Sequence, residues 1–87
     1  MEANSTLGAL IYIKVAEGGK VSPLEVASDI SKLDSVEEVF LVSGEWPIII
    51  RVTCKDMIEL SDFVISKLGA VKGIEKTDTV IIMDKIK

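Results

Sequence analysis

The sequence predicts an α+β sandwich: strand, helix, strand, strand, helix, strand, with a four-stranded antiparallel sheet and both helices on one of its faces. Three observations predict it. Four short runs rich in Ile, Val and aromatic residues alternate with two runs of helical spacing. Each helical run opens on a residue able to cap it, Ser22 or Asp56. Only Gly44-Glu45-Trp46-Pro47 separates the middle two strands, a connection short enough to make them an antiparallel hairpin.

The first strand is read as Leu7 to Val15, bounded by Gly18-Gly19. Ser22-Pro23-Leu24-Glu25 then opens a helix, because Ser22 can cap, Pro23 suits the first helical position and Glu25 completes a capping box. Ala27, Ile30 and Leu33, with Leu24 or Val26, continue its apolar stripe, and it should end near Leu33 to Asp34. The second strand is Glu38 to Ser43. In the turn after it Gly44 tolerates positive φ and Pro47 cannot donate to a ladder. The third strand is Ile48 to Cys54.

Asp56 caps a second helix running to about Leu68, with Met57, Leu60, Val64 and Leu68 as one stripe, Phe63 beside it and Gly69 to stop it. The last strand is Thr77 to Asp84, followed by a polar Lys85-Ile86-Lys87 tail. Two such strand–helix–strand halves make the ferredoxin-like βαββαβ arrangement. With 87 residues the chain should form one domain over 1–87.

Strand patterning carries the first functional expectation. A sheet with one wet face alternates apolar and polar residues, and these strands do so poorly. Two helices cover one face only. The other would leave Leu10, Tyr12, Phe40, Val42, Ile49, Ile81 and Met83 in water, more apolar surface than soluble monomers usually expose. Covering several hundred Å² stabilises by about 10 kcal/mol before the cost of association. A homodimer with sheets packed face to face is therefore expected.

Composition removes several classes. Lys plus Arg number 10 against 14 Asp plus Glu, a net charge of -4 without a basic run, which argues against phosphate-dominated nucleic-acid binding. With no His there is neither the usual near-neutral base nor the commonest zinc ligand. The single cysteine, Cys54, cannot form an internal disulfide, and at the end of an apolar strand it reads as a small hydrophobe. The acidic residues at helix starts and turns read as caps and solvated faces, and Gly18-Gly19-Lys20 lacks the spacing of a phosphate loop. No enzyme, metal or cofactor is expected. No apolar stretch approaches the roughly 18 residues of a bilayer span. Met1-Glu2-Ala3-Asn4-Ser5-Thr6 carries no basic region of a signal peptide, so a cytoplasmic protein is expected.

Two places resist a purely structural reading. Trp46 at a hairpin tip is large and amphipathic and should dock against its own subunit, a neighbour or a ligand. Thr77 and Thr79 share a strand face; such pairs often reflect β-propensity, yet their hydroxyls suit hydrogen bonding to a small polar ligand.

The order of motifs resembles one family. Val36-Glu37-Glu38-Val39-Phe40-Leu41-Val42-Ser43-Gly44-Glu45-Trp46 is similar to the "V-x-x-V-y-x-v-x-G-x-Y/F-D" stretch of the effector-binding (RAM) domain of Lrp/AsnC-type regulators. Asp56 to Val64 resembles its second helix, and Gly73-Ile74-Glu75-Lys76-Thr77-Asp78-Thr79-Val80-Ile81 its "G-V-x-x-T-x-T-x-i" ending, so the likeness covers about residues 8 to 84. The resemblance implies the same fold, dimers through the sheet face that assemble further into octamers or similar rings, and an amino-acid-like effector bound between dimers. Carried over, the ligand positions are Gly44, Glu45, Trp46 and Pro47 with Thr77 and Thr79. A backbone amide near Gly44 and the threonine hydroxyls would receive a carboxylate.

Two departures stand out. The family's Asp after the aromatic is Pro47 here, which cannot pair with an α-amino group. About six residues precede the first strand, so the chain resembles the form without a helix-turn-helix, expected not to bind an operator itself but to modulate a full-length regulator by co-assembly. The competing expectation is a structural or interaction protein that has lost ligand binding. A small enzyme of the dimeric α/β-barrel kind would need an acid or base that the sequence does not supply.

Overall fold

The computed structural model describes residues 6–87. The signal-peptide reading therefore lies, but for Thr6, outside the described residues. The elements run β1 (Leu7–Val15), α1 (Pro23–Ile30), β2 (Val36–Leu41), β3 (Ile48–Cys54), α2 (Met57–Asp62) and β4 (Ile74–Ile81). The strands form one antiparallel sheet in the order β2-β3-β1-β4. This is the ferredoxin-like sandwich expected from the sequence, with β1 and β3 in the positions predicted.

Local chemistry explains the elements. Ser22 caps α1 as expected: its Oγ accepts from the Glu25 amide at 3.2 Å, and its own amide donates to Glu25 Oε1 at 2.9 Å. Asp56 caps α2 by accepting from the Glu59 amide at 2.9 Å, while Glu59 Oε1 reaches back to the Lys55 amide.

The second helix departs from the continuous run expected to Leu68. After Asp62 it widens into a π turn over Phe63–Lys67 and tightens into a 3-10 turn over Leu68–Ala70. The Leu68 amide donates to the Phe63 carbonyl five residues back. Phe63 and Leu68, at the two ends of this insertion, are both buried in the core, while Met57 at the start of α2, expected in the buried stripe, is more than half exposed.

Burial on the helix-covered side is deepest on the two central strands. Ile11, Ile13, Ile48, Ile50 and Val52 have no exposed surface, and Val26, Ile30, Leu60, Phe63 and Leu68 pack down on them from the helices. Gly73, just before β4, sits at φ 95°. A Cβ there would lie 2.8 Å from Val26 Cγ2 and 3.2 Å from Val21 Cβ. The position therefore requires glycine twice over, for conformation and for space.

Register corrects the reading of β4. Ala9 pairs with Ile81, Ile11 with Thr79 and Ile13 with Thr77, so these three β4 side chains face the helices. Ile81 packs against the core and does not join Leu10 on the bare face. Met83 lies beyond the strand and is 92% exposed. The bare-face positions belong instead to Val80, which pairs with Leu10, and Ile82, whose amide donates to the Gly8 carbonyl at 2.9 Å. Because Val80-Ile81-Ile82-Met83 is apolar throughout, alternation could not reveal which residue faces which way, and a slip of one position exchanged the faces. The strand also begins earlier than expected: Lys76 pairs with Lys14 and, past the bulged Glu75, Ile74 pairs with Val15. It ends near Ile81 because β1 has only Leu7 left beyond Gly8.

Candidate functional site

The bare face of the sheet can be built row by row from the register. One row is Glu38, Arg51, Leu10 and Val80; the next is Phe40, Ile49, Tyr12 and Asp78; a third holds Lys14 and Lys76, with Val42 bonded to Pro47 at the hairpin. The apolar residues trace a diagonal band, from Ile82 and Val80 through Leu10, Tyr12 and Ile49 to Phe40 and Val42. Phe40 is 47% and Val80 45% exposed. Charge sits at the two opposite corners. Arg51 Nε donates to Glu38 Oε1 at 2.8 Å, and this bond holds the guanidinium above its ordinary pKa. At the other corner are Lys14, Lys76 and Asp78.

The hairpin is held by Lys14. Its side chain, only 24% exposed, reaches Glu45 Oε2 at 3.3 Å, and its Nζ lies 5.9 Å from the Trp46 ring centroid. Trp46 thus docks on its own subunit. Gly44 takes φ 135°, as the turn requires. Gly44, Glu45 and Pro47 form one wall of a cleft of about 560 Å³ whose other wall is the β1–α1 loop, including Glu17 and Lys20, and Glu25 in the first turn of α1.

The two threonines stand elsewhere. Thr77 occupies the same cross-strand row as Ile13 and Ile48, one strand removed from the hairpin base, but points to the helix side. It lines a small cleft with Val64, Leu68 and Ile74. Thr79 lines another with α2. Within one subunit the six positions expected to bind a ligand therefore form separate groups. Sequence reading missed Lys14, because nothing local signals a partner 31 positions away. It missed Val80 and Ile82 through the slip described above.

Cys54 is 2% exposed, and burial raises its thiol pKa above the ordinary value, a setting for packing rather than nucleophilic chemistry. No group of three side chains able to hold a metal ion occurs among the described residues. No helix there is long and apolar enough to cross a membrane.

The family model of the Lrp/AsnC ligand binding domain matches residues 8–87. The chain belongs to that family. Among curated relatives, an uncharacterised HTH-type transcriptional regulator of Pyrococcus furiosus is 34% identical over 79 residues, covering 91% of this chain and 53% of its own. The chain spans about half the length of the curated relatives it matches. A Thermus thermophilus protein of known structure superposes with TM-score 0.80 at 27% identity, covering 93% of this chain and 98% of its own. The transcriptional regulator NMB0573 of Neisseria meningitidis, solved as a complex with L-Met, superposes with TM-score 0.82 at 22% identity, covering 93% of this chain and 52% of its own; that likeness carries the fold. The chain is thus a member of the Lrp/AsnC ligand binding domain family, related to transcriptional regulators, and the resemblance to the RAM domain holds over nearly the whole chain.

Proposed function

We propose that this Lrp/AsnC domain works as an oligomeric sensor of an amino-acid-like effector. Two copies pack sheet to sheet along the diagonal band, through Leu10, Tyr12, Phe40, Val42 and Ile49 together with Val80 and Ile82. The bare apolar band is the observation that carries this reading: among the described residues no element covers it, and a second copy offers an identical band. The charged corners flank the band. They favour a register in which apolar residues meet apolar residues and Arg51–Glu38 stays at the rim.

The effector binds where further copies meet, between the hairpin Gly44–Pro47 of one and the Thr77 and Thr79 region of another. Their separation within one subunit supports a site completed by assembly. By binding the joined state more tightly than the separate one, the ligand shifts the assembly equilibrium. The net charge of -4 supports a role without direct nucleic-acid contact, exerted through co-assembly with a full-length regulator of the same family.

One observation favours a second reading, in which the domain oligomerises but has lost its ligand. Glu45 is the hairpin's only carboxylate, and it is already engaged by Lys14, while Pro47 offers none. Calorimetry against the twenty amino acids, with oligomer mass followed in parallel, separates the two. The sensor gives heat with a subset and a change in mass. Heat from none and an unchanged mass leave the interaction protein.

A further inference from the structure

The outer edge of β2 and the chain beyond β4 share one property: each displays apolar residues to water. β2 is an outer strand of the sheet, and four apolar residues in a row, Val39-Phe40-Leu41-Val42, run along its second half into the hairpin. Leu41 is 50% exposed although it shares the helix-covered side with Ile48. The Val42 amide donates to the Pro47 carbonyl. By the alternation of an antiparallel ladder, the N–H and C=O groups of Val39 and Leu41 therefore point away from β3. An apolar edge with outward amides is a site for strand addition. Charge on this strand is confined to Glu37 and Glu38 near its start.

The tail complements that edge. The Ile82 amide carries the ladder on to the Gly8 carbonyl, and beyond it Met83 is 92% and Ile86 88% exposed. Lys85 and Lys87 flank Ile86 and are opposite in sign to Glu37 and Glu38. Fully stretched, residues 82–87 span about 20 Å, twice the ~10 Å that separates packed sheets.

We infer that residues 83–87 of one copy add as a short strand to the β2 edge of a second copy, antiparallel to it. This rests on the sheet-to-sheet reading, in which the apolar bands of two copies meet. The band runs from Ile82 at the end of β4 to Val42 at the end of β2. Overlaid head to tail, Ile82 of each copy lies over Val42 of the other. The tail then leaves its own sheet at the β2 edge of the second copy and runs back along it, a corner of the kind made where sheets cross. Met83 comes to the Leu41 end, Lys85 and Lys87 come toward Glu38 and Glu37, and the Val39 and Leu41 amides gain acceptors. Two-fold symmetry repeats the contact, so each association buries two tails.

The test compares the full chain with one ending at Ile82, by sedimentation equilibrium and by amide hydrogen exchange in associated samples. Met83 to Lys87 are all exposed, so the two chains should melt at the same temperature when dilute. The shortened chain should associate at least about tenfold more weakly, and Ile86→Asp should weaken association in the same direction. In the full chain the Val39 and Leu41 amides should slow by about tenfold or more once copies associate, and in the shortened chain they should not slow. If the full chain associates while these amides exchange freely, or if both changes leave association intact, the tail assignment is overturned and the sheet-to-sheet reading survives. Protection that persists in the shortened chain, or that a lone full chain already shows at high dilution, means that another segment covers the edge and also overturns it. If the full chain is a single chain at every concentration, both readings fall.

Discussion

The two faces of this sheet are made of nearly the same residues and live in opposite environments. On β3, Ile48 and Ile50 point to the helices and have no exposed surface, while Ile49 between them points to the bare side and is only half-buried. On β1 the same holds for Ile11 and Ile13 against Leu10 and Tyr12. Residue type does not distinguish the faces; cover does. One face is completed within the chain by α1 and α2 and supplies stability. The other carries no covering element among the described residues, and the proposed association of copies rests on it.

Substitutions can sharpen that contrast. The largest effect is expected from Ile50→Ala, which opens a cavity in the closed face and should cost about 3 kcal/mol by chemical denaturation at every protein concentration. Ile49→Ala, one residue away, should cost little in a dilute sample and show its effect only where copies associate. Equal, concentration-independent losses for the two would erase the distinction between the faces. Gly73→Ala should follow, at about 2–3 kcal/mol, because it adds left-handed strain to a methyl placed 2.8 Å from Val26 Cγ2. A wild-type melting temperature for that variant would mean that the turn before β4 can move aside. The smallest effect is expected from Ser22→Ala, about 1 kcal/mol, since it removes one cap from a helix that packing also holds. Its loss should be the same in associated and dilute samples, because α1 lies on the covered face.

The contrast also explains what could be read from sequence. The strand limits of β1 and β3 were legible because Gly18-Gly19, Pro47 and Asp56 punctuate them. The capping box at Ser22 and Glu25 was legible because it is local. The hairpin residues were legible as a cluster because they are contiguous. The facing of β4 was not, because its end is apolar on both parities. The π turn was hidden by a stripe, Leu60, Val64 and Leu68, that fits an unbroken helix equally well. The hold of Lys14 on Glu45 and Trp46 depends on the chain's path through the sheet. What sequence misses in this domain is long-range register, and register decides which threonine meets which groove.

Sedimentation equilibrium of the wild-type chain and of Ile49→Lys, over a wide dilution range, tests most directly whether the open side of the sheet is a contact between copies. The account predicts a wild-type mass of two chains or more that falls toward one chain on dilution, and a folded single chain for Ile49→Lys at all concentrations. A wild-type chain that sediments as one chain throughout would contradict it, as would an Ile49→Lys chain that associates as tightly as wild type.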